Sequence, residues 1–170
     1  MRLPAFLSTL LIVAVAAFAA DARPLPAISQ INITIGPALQ AKADDYGARE
    51  FEYLKADLRR AVERELAKGG AVSPSGGVLD LVIEDAKPNR PTFEQMVDRP
   101  GLSFESRSIG GAEVSGTLTL PDGSEIPLRY GWFETDFRNT LGSATWSDAE
   151  RAFDRFARGL LRGDIVERPD

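Results

Sequence analysis

The chain of 170 residues contains no cysteine and no histidine. Without cysteine it can form no disulfide and offers no thiol for lipid attachment, so packing of the core has to stabilise the fold. Without both residues, zinc sites of the Cys/His type and the Ser-His and Cys-His nucleophile pairs are excluded. Arginines, carboxylates and hydroxyls remain, and we expect no catalytic residue of the usual kinds, no metal and no cofactor.

Acidic residues outnumber basic residues in this sequence. The sequence has 20 Lys and Arg against 25 Asp and Glu, which gives a formal net charge of −5. An acidic surface favours solubility and opposes nonspecific binding to nucleic acid, which requires a positive field. We therefore expect no nucleic-acid partner.

Long apolar runs are absent after the first 20 residues. Arg2 is the only charge there, an apolar run spans Leu10 to Phe18, and small residues follow. This order is typical of a secretory signal peptide, with cleavage predicted after Ala19, Ala20 or Ala22. A retained membrane anchor is the alternative, but the run is short for a membrane span.

These features predict a signal peptide over residues 1–20 and a single periplasmic α/β domain over residues 21–170. The predicted localisation is periplasmic or secreted. No later segment is apolar enough to cross a bilayer, so we expect no membrane span after signal removal.

Apolar periodicity predicts the main elements of the mature chain. Alternation of apolar and polar residues predicts strands at residues 27–35, 78–85, 113–120 and 125–134. Apolar residues spaced by three and four predict amphipathic helices from residue 50 to 68 and from residue 147 to 162. Pro127 has no N–H to donate, which places the fourth strand at an edge. Ser147 and Glu150 predict a capping box at the start of the last helix.

One apolar face per strand and one apolar stripe per helix pack best as two layers. We therefore predict the α+β class: a two-layer sandwich with a mostly antiparallel four- to five-stranded sheet and two amphipathic helices on one face. The opening strand, helix and strand form a crossover if those strands are parallel neighbours.

The stretch NRPTFEQMVDRPG, residues 89–101, interrupts this pattern. Thr92 and Gln95 are spaced as a capping box and predict a short helix. The sequence from Arg99 to Leu102, with proline second and glycine third, predicts a type II turn. Alternation after that turn favours a long broken third strand that starts near residue 103.

Three arginines around this short helix are not explained by the turns. Guanidinium groups bind carboxylate or phosphate with two parallel hydrogen bonds. We predict a ligand- or partner-binding site made of Arg90, Thr92, Gln95, Arg99, Arg107, Ser108 and Trp146. The alternative is that the arginines pair with Glu94, Asp98 and Glu105 or are solvated, and that Trp146 packs in the core.

Several stretches resemble a set of uncharacterised exported proteobacterial proteins. They are NRPT at 89–92, QM at 95–96, RPGLS at 99–103, GGA at 110–112, TWSDA at 145–149 and FDRFA at 153–157. The resemblance covers nearly the whole mature chain and brings no known activity. The element order also resembles small periplasmic α/β domains, namely the amino-terminal domain of TolB and the periplasmic domain of curli-secretion lipoproteins. The lipoproteins carry an acylated cysteine that this sequence lacks, and the likeness implies a fold only.

The leading hypothesis is a non-enzymatic periplasmic binding or accessory module of the cell envelope, whose partner is an envelope protein or an anionic ligand. The alternative is a carboxylate-dependent hydrolase acting on cell-wall glycan or peptide, which requires a cleft with two facing acidic groups. A third possibility is an oligomer formed through the edge strand at Pro127. The sequence leaves the oligomeric state open.

Overall fold

The computed structural model describes residues 26–165, so the predicted signal peptide and its cleavage sites lie outside the described residues. The elements follow the chain in this order: β1 Ile28–Ile35, α1 Pro37–Gln40, α2 Ala43–Tyr46, α3 Ala48–Lys68, β2 Gly77–Lys87, α4 Phe93–Asp98, β3 Gly111–Thr119, β4 Glu125–Phe133, a 3-10 turn Phe137–Thr140 and α5 Ser147–Arg162.

The four strands form one mixed sheet in the order β1-β2-β3-β4. β1 is parallel to β2, and α3 lies in the connection between them. β2, β3 and β4 are antiparallel neighbours. The predicted α+β two-layer fold is confirmed, and β4, which contains Pro127, is an edge strand as predicted.

The core lies between one face of the sheet and the two long helices, α3 and α5. The alternating residues Leu79, Leu81 and Ile83 of β2 are almost fully buried on this face. The helices contribute the stripes predicted from spacings of three and four, including Leu58 of α3 and Phe153 of α5. Each such side chain contributes about 1.5–3 kcal/mol on burial.

Two local predictions around the core need correction. The sequence pattern predicted no helix between residues 35 and 50, yet α1 and α2 lie there and bury Leu39 and Tyr46. The capping box predicted at the start of α5 does not form, because the Ser147 hydroxyl accepts a hydrogen bond from the backbone N–H of Ala144 instead.

The segment from residue 102 to 110 is not a strand, so the prediction of a long broken third strand is wrong. The predicted turn before it forms: Gly101 has φ +98° and the N–H of Leu102 donates to the carbonyl of Arg99. Beyond that turn, Leu102 is half-buried and Phe104 is exposed, so the apolar alternation does not mark a sheet face. β3 begins only at Gly111.

Candidate functional site

A cavity of about 250 Å³, called here the arginine cavity, opens where α2, α4 and the 102–108 segment meet. Four of its lining side chains are cationic and none is a carboxylate. The lining residues are Tyr46, Lys87, Pro88, Arg90, Pro91, Gln95, Arg99, Leu102, Ser106, Arg107 and Ser108. The three arginines predicted from the sequence therefore meet at one cavity, together with Lys87, which the sequence did not single out.

The short helix α4 is fixed by the predicted capping box. The Thr92 hydroxyl accepts from the N–H of Gln95 at 3.3 Å, and the Gln95 carbonyl oxygen accepts from the N–H of Thr92 at 3.2 Å. The side-chain amide of Gln95 also donates to Asp45 at 3.0 Å. Gln95 thus holds α4 against α2 and lines the cavity, whereas Thr92 caps α4 and is not a lining residue.

Arg99 is the one cavity arginine with a carboxylate partner in the described residues. Its guanidinium forms an ion pair with Asp45 of α2. Asp45 is held from its other oxygen by Gln95. This contact ties the end of α4 to α2 and neutralises part of the local charge.

Arg90 forms hydrogen bonds with backbone rather than with a carboxylate. Its Nε donates to the carbonyl of Ser143 at 3.0 Å, and its Nη1 donates to the carbonyl of Phe104 at 2.8 Å. Because carbonyl groups are neutral, the positive charge of Arg90 is not compensated, although its side chain bridges two loops. Since the bonds use two of its three nitrogens, Nη2 keeps its donor capacity toward a ligand.

Arg107 and Lys87 carry the remaining positive charge. Within residues 26–165, neither side chain has a carboxylate oxygen close enough, at 4.0 Å or less, to form an ion pair. The Arg107 guanidinium lies 5.6 Å from the ring centroid of Phe137, a cation–π contact that leaves its N–H groups free to donate. The predicted alternative pairing with Glu94, Asp98 and Glu105 does not occur among the described residues.

Ser108 and Trp146 have structural contacts. The Ser108 hydroxyl donates to the carbonyl of Pro88. Trp146 is 5% exposed and its Nε1 donates to Glu50 at 2.7 Å. Trp146 does not line the arginine cavity, but its ring meets that of Tyr46 edge-on at 5.8 Å. Trp146 therefore packs against Tyr46, which lines the cavity, without lining the cavity itself.

Tyr46 lines this cavity and is a neutral hydrogen-bond donor. Burial raises the pKa of its phenol above the ordinary value of 10.0. The hydroxyl is therefore protonated at neutral pH and can donate to an anion beside the four cationic groups.

A network of buried hydrogen bonds connects the 89–110 segment to α5. The sequence pattern did not predict this network. The Asn89 amide donates to Asp148 at 2.5 Å, and its carbonyl oxygen accepts from the N–H of Asp148 at 2.8 Å. Asp148 also accepts from the N–H of Gly110 at 3.0 Å and from Arg151 at 2.9 Å. Asn89 and Asp148 are fully buried, so this network fixes both ends of the 89–110 segment.

Exposed apolar side chains are concentrated on the segments beside the arginine cavity. Eight large apolar residues of the described chain are exposed, and five of them belong to α4, the 102–108 segment and the 137–141 loop. These five, called here the apolar rim, are Phe93, Val97, Phe104, Phe137 and Leu141. Each is more than half exposed, and such a concentration is typical of an interaction surface.

A second cavity, of about 370 Å³, lies between α3 and α5 and contains Asp57 and Glu150. Burial raises the pKa of both carboxyl groups, and the negative charge of Asp57 raises that of Glu150 further. Asp57 is held in an ion pair with Arg60 of the same helix. Trp146 and Tyr53 complete the wall.

We expect Asp57→Asn to stabilise the protein at neutral pH. A carboxyl pKa raised by folding means that the folded state binds the proton more tightly, so wild-type stability falls as pH rises from the unfolded value through the folded value. The Asp57 side chain is 13% exposed, and removing its charge should raise the free energy of unfolding by about 0.5 kcal/mol at pH 7. Urea denaturation at pH 7 and in acid measures the difference, which should vanish in acid.

Asp122→Asn is the control of opposite sign. Hydrogen bonds from Ser124 lower the pKa of Asp122. Its stabilising contribution is therefore present at neutral pH and is lost as pH falls through the folded pKa. Equal shifts for the two variants at pH 7 would contradict the assignment.

Within residues 26–165, no group of three or more acidic side chains is arranged to hold a metal ion. Over the same range, every helix is too short or too polar to cross a bilayer.

No protein-family model and no curated protein matches this chain. The crystal structure of rare lipoprotein B from Shewanella oneidensis is similar over 79% of this chain and 92% of that chain, with a TM-score of 0.38 and 11% identity. The minor lipoprotein from Acinetobacter baumannii is similar over 79% and 90%, with a TM-score of 0.31 and 15% identity. These values describe a partial likeness to two lipoproteins and assign the chain to no family.

Proposed function

We propose that this protein is a non-enzymatic binding module of the cell envelope that takes an anionic group into the arginine cavity. The leader pattern of residues 1–20 supports a location in the periplasm or outside the cell. One observation carries the binding proposal: four cationic side chains and no carboxylate line one open cavity.

Three of the four cationic groups have no carboxylate partner within the described residues. Lys87 and Arg107 have no ion-pair partner in the described chain, and Arg90 bonds only to carbonyls. Like charges held together repel one another, which costs stability unless an anion enters. Carboxylates and phosphates are the groups that arginine binds with paired hydrogen bonds.

The hydrolase alternative rests on Asp57 and Glu150, whose raised pKa values are the kind of perturbation found in acid–base sites. The ion pair with Arg60 holds Asp57 as a carboxylate and keeps it from approaching a substrate. Partial desolvation beside the neighbouring helix, together with the charge of Asp57 on Glu150, accounts for both pKa shifts without catalysis. We therefore favour the binding module.

Calorimetric titration with pyrophosphate at low ionic strength tests the proposal. We expect saturable binding that weakens about tenfold in Arg107→Gln and in Lys87→Gln, because each charge-assisted hydrogen bond contributes about 1.5–3 kcal/mol. Arg129→Gln is the matched control, since Arg129 lies on β4 and is paired with Glu113. Equal affinity in all four proteins would refute the cavity as the site.

A further inference from the structure

The apolar rim and the arginine cavity lie on the same segments of the chain. The Arg90 guanidinium bonds to the carbonyl of Phe104, and the Arg107 guanidinium lies over Phe137. Phe93 and Val97 are one helical turn apart on α4, on the face opposite Gln95, which lines the cavity. An anionic ligand in the cavity is therefore nearest to Phe104 and Phe137, the two rim residues in contact with cavity arginines.

We propose that the occupant is the carboxyl-terminal end of a partner protein, with its terminal carboxylate in the arginine cavity and its last apolar side chains on the apolar rim. This inference rests on the proposed anion-binding function and deepens it. A carboxyl-terminal chain end presents one carboxylate beside an adjacent side chain. Proteins bind such ends through several hydrogen-bond donors that surround the carboxylate. The four cationic groups and the neutral Tyr46 hydroxyl supply those donors.

The size of the cavity favours a chain end over a larger ligand. Its volume of about 250 Å³ is below the usual range of about 300–1,000 Å³ for drug-sized ligands. It can accept a carboxylate and part of one residue, while the remaining residues must lie outside. Phe104 and Phe137 are exposed and adjoin Arg90 and Arg107, so they are the rim residues nearest to that part of the peptide.

Charge favours a peptide over an anionic bilayer. The chain has a net charge of −5, and Glu94, Asp98 and Glu105 lie on the segments that carry the apolar rim. A surface of negative lipids would be repelled by these carboxylates. A single carboxylate can enter the cavity, where every charged lining side chain is positive.

The test uses a fluorescein-labelled peptide Gly-Gly-Ser-Phe-Phe with a free carboxyl terminus, and the same peptide amidated. Fluorescence polarisation at low ionic strength should show the free acid binding at least tenfold more tightly than the amide, as expected for loss of a charge-assisted contact. Arg107→Gln should remove most of that preference. Phe104→Ser should weaken binding of both forms about fivefold, since it removes one exposed ring of the rim.

Val72→Ser is the matched control for the rim. Val72 is exposed and pairs with Ile28, near the start of β2, whereas the arginine cavity lies at the other end of β2. The Val72→Ser variant should therefore bind the peptide with the affinity of the wild type. Equal binding of acid and amide, or equal effects of Phe104→Ser and Val72→Ser, would overturn the inference. If pyrophosphate binds and the free acid does not, the anion-binding function stands and the chain-end inference fails.

Co-sedimentation with phosphatidylglycerol vesicles tests whether the protein binds an anionic membrane surface instead. We expect the protein to remain in the supernatant. Pelleting with these vesicles, together with no binding of the free acid, would assign the apolar rim to a membrane surface and overturn the inference. Failure of pyrophosphate, peptide and vesicles alike would reject both the inference and the proposed function.

Discussion

Asn89→Ala should lower the free energy of unfolding by about 3 kcal/mol. The substitution removes both hydrogen bonds between Asn89 and Asp148 and leaves the buried Asp148 carboxylate and its own N–H with fewer partners. Leaving a buried polar or charged group unsatisfied costs more than the net contribution of the hydrogen bond itself. Urea denaturation monitored by tryptophan fluorescence measures the change.

Asn139→Ala is the matched control, because Asn139 donates its amide to Glu134 at an exposed position. Its effect should stay within about 0.5 kcal/mol, as for most surface substitutions. Asn89→Ala should also weaken pyrophosphate binding, since the network holds the segment that carries Arg90 and Arg107. If Asn89→Ala were as mild as the control, the buried network would not be what fixes the segment.

Trp146→Ala should lower the free energy of unfolding by about 3–5 kcal/mol, the usual range for removing a buried tryptophan. Trp146 is 5% exposed, and its ring packs edge-on against the ring of Tyr46. The substitution leaves a void between α5 and the start of α3 and also removes the donor to Glu50. Chemical denaturation gives the change directly.

Trp146→Phe separates packing from ligand contact. It keeps most of the ring and loses the hydrogen bond to Glu50, which should cost about 1 kcal/mol. Pyrophosphate affinity should be unchanged, because Trp146 does not line the arginine cavity. If a fully folded Trp146→Phe lost pyrophosphate binding, Trp146 would belong to the site as the sequence predicted and our assignment would be wrong.

The sequence was sufficient for the sheet and the long helices because their signals are local. Leu79, Leu81 and Ile83 alternate within a few residues, and the stripe of α3 repeats every three or four. The 102–109 segment shows the same kind of alternation and yet forms no strand. Its path is set by contacts with residues distant in sequence, such as the hydrogen bond from the Asn89 amide to the carbonyl of Ser108 at a separation of 19 residues, which no local pattern encodes.

The candidate site was partly predictable for the same reason. Arg90, Arg99 and Arg107 stood out because turns and caps did not account for them, and all three line one cavity. Lys87 and Tyr46 could not be assigned to it, since they come from the end of β2 and from a helix that looked irregular in sequence. Trp146 was assigned to the site by sequence, but the fold packs it behind Tyr46.

The most direct test of anion binding is an NMR titration of the isotope-labelled protein with pyrophosphate, following backbone amides and arginine Nε–H groups. We predict that the shifts concentrate at Lys87, Arg90, Arg107 and Tyr46, and that the Arg107 Nε–H signal sharpens as the anion binds. Shifts confined to other cationic surfaces, such as Arg155 and Arg158 on α5, or no saturable shifts at all, would contradict the arginine cavity as the binding site.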